Sequence, residues 1–210
     1  MIDSNVDNSK YKSLIRTGTV LVIATMVYNT IEAVVAIWSG WVADSIALMG
    51  FGMDSVIEFA AAAVLLWRLK AEWGGVDSEE IEKRERKVQI FIGITFFLLA
   101  LYVLVESLLT LFMKKEVAES DIGIILAALS LIIMPLIAWG KFRVANRIGS
   151  QSLRAEAKET LACAILSLTL FIGLGANILF GLEWADPVAA LVMIPWLVKE
   201  GLEGIRGDDD

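Results

Sequence analysis

The stretch Gly50 to Glu58, "GFGMDSVIE", runs directly into "FAAAAVLLWRL", Phe59 to Leu69. It sets two carboxylates, Asp54 and Glu58, four residues apart at the head of an apolar run. In a helix, positions i and i+4 share one face. On a soluble helix such a pair is a solvated edge. Inside a bilayer each carboxylate is expensive, and such residues mark functional sites. The choice between the two turns on whether the run crosses a membrane.

Composition decides it. The 210 residues are 57% hydrophobic, with a mean hydropathy of +0.69, whereas a soluble domain is only about half apolar. The apolar residues gather into six runs: Leu14 to Trp38, Ile46 to Leu69, Val88 to Met113, Ile122 to Trp139, Leu161 to Phe180 and Pro187 to Val198. A helix needs about 20 residues to cross the ~30 Å hydrocarbon core. The first three runs qualify and the fourth just does. The fifth qualifies if it starts near Gln151, with its polar first turns facing protein or water. The sixth needs Glu183 to Glu200 to span. The expectation is an all-α membrane protein with six transmembrane helices. A polar tail (1–13) precedes the membrane domain (14–200), and an acidic tail (201–210) follows it. No soluble C-terminal domain and no cleavable signal peptide are expected. The long hydrophilic connection Lys70 to Lys87, "KAEWGGVDSEEIEKRERK", reads as a short capped helical extension.

Basic residues orient the chain. With six crossings both termini share one side, and only Lys114 and Lys115 of the eighteen lysines and arginines fall on the other. That asymmetry predicts that both termini are cytoplasmic; the plasma (inner) membrane is the expected location. The net charge of −7 excludes a nucleic-acid binder. One cysteine, Cys163, cannot form an internal disulfide. There is no histidine. Without histidine, a Ser–base pair or a second cysteine, no enzyme is expected. Most of the tryptophans lie near span ends, as interfacial anchors do.

The fifth span opens "LRAEAKETLACAILSL", where Glu156, Glu159 and Cys163 share a face at i, i+3 and i+7. At 1.5 Å of rise per residue, Asp54 lies ~15 Å below the outer end of span two and Glu58 ~21 Å. Glu159 lies ~12 Å and Cys163 ~18 Å above the inner end of span five. Antiparallel packing then brings Asp54 level with Cys163, and Glu58 level with Glu159. Inside the apolar segments the only basic residues are Arg16 and Arg68, both close to segment ends, and Lys158 is near enough to snorkel inward. Three carboxylates and a thiol would repel one another unless protonated or bridged by a cation. The donor set O, O, O, S suits a tetrahedral four-ligand site for Zn²⁺. Its carboxylates also admit Mn²⁺ and Fe²⁺, and its thiol admits Cd²⁺.

Plainer readings stand beside this one. Asp54 and Glu58 can be protonated carboxyls bonding between helices, Glu159 an interfacial residue, and Cys163 a small core residue. Asp44 and Glu156 are either vestibule carboxylates at the two mouths or interfacial charges. Asn29 and Glu32, i and i+3 in span one, either support the ligands or glue helices together. Gly50, Gly52 and the run Ala60 to Ala63 need only mean close helix approach.

The layout resembles the cation diffusion facilitator (cation efflux) family, whose members carry paired metal ligands on the second and fifth of six spans. The family pattern Ser-x-Ala-Leu-x-x-Asp-Ala-x-His-x-x-x-Asp is met by "SIALMGFGMDSVIE" at Ser45, Ala47 and Leu48, with Asp54 and Glu58 on the ligand positions. The pattern Ala-Asp-Ala-x-His-x-x-x-Asp is met by "AEAKETLAC", with Glu156 at its first acidic position and Glu159 and Cys163 on the ligand positions. "WADPVAALVMIP", with Asp186 and Pro187, is similar to the family's entry into the last span, and Glu106 sits where members often carry a glutamate in span three. The histidines of many zinc members are replaced, as in the histidine-poor branch. The resemblance implies a secondary active transporter exporting a divalent metal ion, Zn²⁺ favoured, with protons as counter-substrate and a homodimer as the assembly. No cofactor is implied, since the metal is cargo. The alternative is a metal-binding membrane sensor or accessory subunit without vectorial transport.

Overall fold

The computed structural model describes residues 3–42, 46–113, 121–180 and 184–206. Asp44, Ser45, Lys114, Lys115 and Asp208 to Asp210, all weighed above, lie outside them. Six helices account for nearly all of the described chain: α1 (Asp3–Val42), α2 (Ile46–Trp73), α3 (Ser78–Met113), α4 (Asp121–Ile148), α5 (Gln151–Phe180) and α6 (Ala185–Arg206). Among the described residues, Lys10–Val42, Leu48–Ala71, Ser78–Phe112 and Ile122–Ile148 are long and apolar enough to cross a bilayer. Helices α5 and α6, of 30 and 22 residues, rise ~45 Å and ~33 Å and so also have the length to cross.

The polar stretch before the first span is helical: α1 begins at Asp3. The hydrophilic connection holds its turn between α2 and α3, and α3 starts at Ser78 in the "DSEE" stretch. Two glycines supply the tight turns. Gly75 and Gly149 adopt φ of 72° and 71°, a left-handed backbone that costs a residue without Cβ little. At the second turn the N–H groups of Gly149 and Ser150 both donate to the Ala145 carbonyl, at 2.9 and 3.2 Å. The Ser150 hydroxyl then accepts from the Leu153 N–H at 3.2 Å, capping α5. This two-residue hairpin fixes the register of α4 on α5.

Large apolar side chains face outward. Trp38, Phe112 and Val192 are 74%, 81% and 75% exposed, while Thr25, Asn29, Glu58, Lys141 and Glu156 are buried. A soluble fold does the reverse with its charged residues. Lipid is the solvent that suits such a surface.

Helix α1 packs on α2 and α4, α4 on α5, and α3 on α6, while α2 and α5 touch each other and also α3. Small residues permit the closest approaches. A Cβ on Gly52 would sit 2.7 Å from Ile37 Cγ1 and 3.0 Å from its backbone nitrogen, so α2 lies directly on α1. On the α3–α6 seam, a Cβ on Gly201 would meet the Gly93 carbonyl oxygen at 3.0 Å and one on Gly204 would meet that of Gln89 at 2.9 Å. Backbone cannot swing aside as a side chain can. Gly201→Val should therefore destabilise the fold by about 1–3 kcal/mol through overpacking, read as a lowered melting temperature in detergent. An unchanged melting temperature would show that this seam is looser than described.

Candidate functional site

Helix α2 carries Asp54, Ser55 and Glu58 on its inner face, 4%, 0% and 1% exposed. Helix α5 carries Glu156, Glu159 and Cys163 at 0%, 3% and 1%. The two helices are in contact, and the groups meet. The Asp54 carboxylate and the Cys163 thiol lie beside each other. Glu58 is the hub, within electrostatic reach of Glu32, Asp54, Glu156, Glu159 and Cys163. The level pairing of Asp54 with Cys163 thus follows the helix-rise arithmetic. Among the described residues no three Asp, Glu or Cys side chains are closed around one point as a finished metal cage.

The hydrogen-bond accounting separates two kinds of carboxylate. Asp54 Oδ2, both Glu58 oxygens, both Glu159 oxygens and Glu156 Oε2 are buried without a hydrogen-bond partner. Thr95 of α3 stands beside Glu159, but its hydroxyl is donated to the Ile92 carbonyl at 2.7 Å. Glu32 of α1 is the opposite case. It accepts from Ser55 of α2 at 2.9 Å and from Ser130 of α4, which also bonds the Tyr28 hydroxyl at 2.7 Å. Glu32 therefore knits three helices together beside the site, one of the two roles considered for it.

Lys141, two residues past the fourth apolar run, carries a basic group into the interior. Its ammonium is fully buried between α4 and α5, bonded to Glu156 Oε1 at 2.6 Å and Thr160 Oγ1 at 2.8 Å. Glu156 is thus half of an interior ion pair and not a carboxylate at a mouth. The signal was present in the sequence: Lys141 and Glu156 stand about equally far from the Gly149–Ser150 turn, and a tight helical hairpin brings such positions together. Lys158 also departs from expectation. It turns to α6, bonding Glu200 and, at 3.1 Å, Glu203, and holds the Glu203 carboxyl below its ordinary range. Cys163 packs with Met134, Ala164 and Tyr28. Glu106 sits half-buried on α3.

Residues 22–206 match the sequence profile of the Cation efflux transmembrane domain. The chain belongs to the cation efflux family. This is the family that the α2 and α5 patterns resemble, and the match takes in every residue of the cluster. A relative described as an uncharacterized transporter, sll1263, from Synechocystis sp. (strain ATCC 27184 / PCC 6803 / Kazusa) is 27% identical over 156 residues, 71% of this chain and 49% of its own. The chain thus spans about half the length of that relative.

In this cation efflux protein, removing one member of the buried ion pair should be costly. Lys141→Met strands an uncompensated Glu156 and should lose about 3–5 kcal/mol, whereas Lys141→Met with Glu156→Leu should recover most of it. Equilibrium unfolding of both variants checks this. Equal losses would mean that the pair does not act as a unit.

Proposed function

We propose that this chain is a secondary active transporter that exports a divalent metal cation from the cytoplasm, with Zn²⁺ the favoured cargo. One observation carries the reading: Asp54, Glu58 and Glu159 bury partnerless carboxylate oxygens on the facing helices α2 and α5, and their spacing resembles the family's ligand pattern. An ionised carboxylate without a partner is very unfavourable in a low-dielectric interior. A cation is the counter-charge that makes the arrangement tolerable, and Cys163 beside Asp54 adds a thiolate for borderline metals.

Each residue has a role in this reading. Glu58 and Glu159 supply oxygen ligands from opposing helices, and Asp54 and Cys163 supply the second opposing pair. Metal binding requires the deprotonated ligands, so protons arriving from outside compete with the ion and favour its release. Rocking of helices against one another exposes the site to one side and then the other. Both termini lie in the cytoplasm on the asymmetry of basic residues. The assembly is a homodimer built through the membrane helices, by analogy with the family.

Metal flux into proteoliposomes under an imposed pH gradient tests the proposal. Wild type should move Zn²⁺ in a proton-dependent way. Asp54→Ala should drop flux to the level of empty vesicles while remaining folded. Cys163→Ser should shift preference away from Zn²⁺ and Cd²⁺ towards Mn²⁺. Wild-type flux in a folded Asp54→Ala protein would sink the assignment. Tight binding with no flux of any ion would point instead to a sensor or accessory subunit.

A further inference from the structure

Asn29 of α1 is fully buried, and neither its amide nitrogen nor its amide oxygen has a hydrogen-bond partner. A buried primary amide left so costs several kcal/mol by transfer measures, and such groups in native structures call for an explanation. Its location supplies one. Helices α1 and α2 form an antiparallel hairpin, and two contacts fix their register. Gly52 lies against Ala36 and Ile37, and Ser55 donates to Glu32 at 2.9 Å. Moving from Ser55 to Glu58, three residues along α2, moves three residues back along α1, from Glu32 to Asn29. The same register sets Val22 level with Leu65, and both belong to one buried cluster. Asn29 therefore stands level with Glu58, on the stripe Val22, Thr25, Asn29, Glu32 and Ala36, all of which are buried. Both Glu58 oxygens are partnerless too.

Two unpartnered polar groups level with one another in a dry interior would have a simple resolution if the Asn29 amide nitrogen donated to Glu58, which would give each of them a partner. That bond is not formed. A cation between them satisfies the carboxylate and the amide oxygen together. We infer that Asn29 supplies an oxygen ligand from α1, so that the site draws on three helices and holds a divalent cation largely through oxygen. This rests on the midplane site proposed above and adds to it a residue from a helix outside the α2–α5 pair. An amide oxygen is a neutral, hard donor, which suits Mn²⁺ more than Cd²⁺. Glu32, the nearest acid on the same stripe, is already occupied by Ser55 and Ser130.

Binding of Mn²⁺ and Cd²⁺ to detergent-purified protein, measured by titration calorimetry, tests the inference independently of transport. The variants are Asn29→Leu, the smaller Asn29→Ala, and Asp54→Ala. Metal-free melting temperatures establish which variants fold. If Asn29→Leu does not fold, Asn29→Ala carries the test. The folded Asn29 variant should bind Mn²⁺ at least ~10-fold more weakly, the loss that removing even an outer partner of a metal ligand brings, with a smaller change for Cd²⁺. A merely structural amide would change the melting temperature and leave both affinities as in wild type, and that result overturns the inference. If Asn29 has no effect while Asp54→Ala abolishes binding, the midplane site stands and only the α1 ligand falls. If Asp54→Ala binds as wild type does, the site itself is wrong and this inference falls with it.

Discussion

Buried carboxylate oxygens that no protein donor reaches are what the rest of this bundle is organised around. Glu58 and Glu159 each bury both oxygens without a partner. Water cannot be recruited cheaply into a lipid-embedded interior, so each such group weighs against folding by an amount comparable to a large part of a domain's net stability. A chain tolerates this only where the surrounding helices are held by other means and where the groups themselves have work to do. The neighbouring polar residues show the contrast. Glu32 is bonded by two serines from two helices, and Glu156 has one oxygen on Lys141. Satisfied and unsatisfied acids lie side by side: Asp54, Glu58 and Glu159 keep partnerless oxygens, as does the second oxygen of Glu156.

The other fastenings sit at the end of the bundle that carries most of the basic residues. Arg68 of α2 pairs with Glu85 of α3 at 2.5 Å. Glu85 in turn accepts from the Ser152 N–H at 2.7 Å and from the hydroxyls of Ser150 and Ser152 at 3.1 and 2.8 Å. A carboxylate at a helix N-terminus also opposes the positive end of the helix dipole. Arg86 donates to the carbonyls of Gly204 and Ile205 at the end of α6, and Lys158 joins α5 to α6. Helices α2, α3, α5 and α6 are thus cross-linked at one end by charge-assisted bonds, while the middle of the bundle keeps its acids open. Proline adds local give: Pro135 in α4 and Pro195 in α6 each remove one helical hydrogen bond.

Much of this was legible in the sequence. Long apolar runs require helices in lipid, because no other open structure satisfies its own backbone there, so the helix count and the class followed from hydropathy. Spacing placed Asp54 with Glu58 and Glu159 with Cys163, because the helical period is fixed by backbone geometry. What spacing within one helix cannot say is which neighbour a face meets. Lys141 follows an apolar run in the sequence, yet the short hairpin at Gly149 folds it inward onto Glu156. Lys158, next to a proposed ligand in sequence, points to α6 because i and i+1 diverge by about 100° on a helix.

By itself, then, the sequence determined the solvent of this protein, the number of its helices and the faces that carry its acids. These are set by composition and by the local period of the backbone. Only the tertiary structure decided which acids are neutralised and which are left open. Hydrogen bonds from Ser55 and Ser130 to Glu32, and from Lys141 to Glu156, depend on the register between packed helices. That register comes from where glycines let backbones touch and where tight turns reverse the chain.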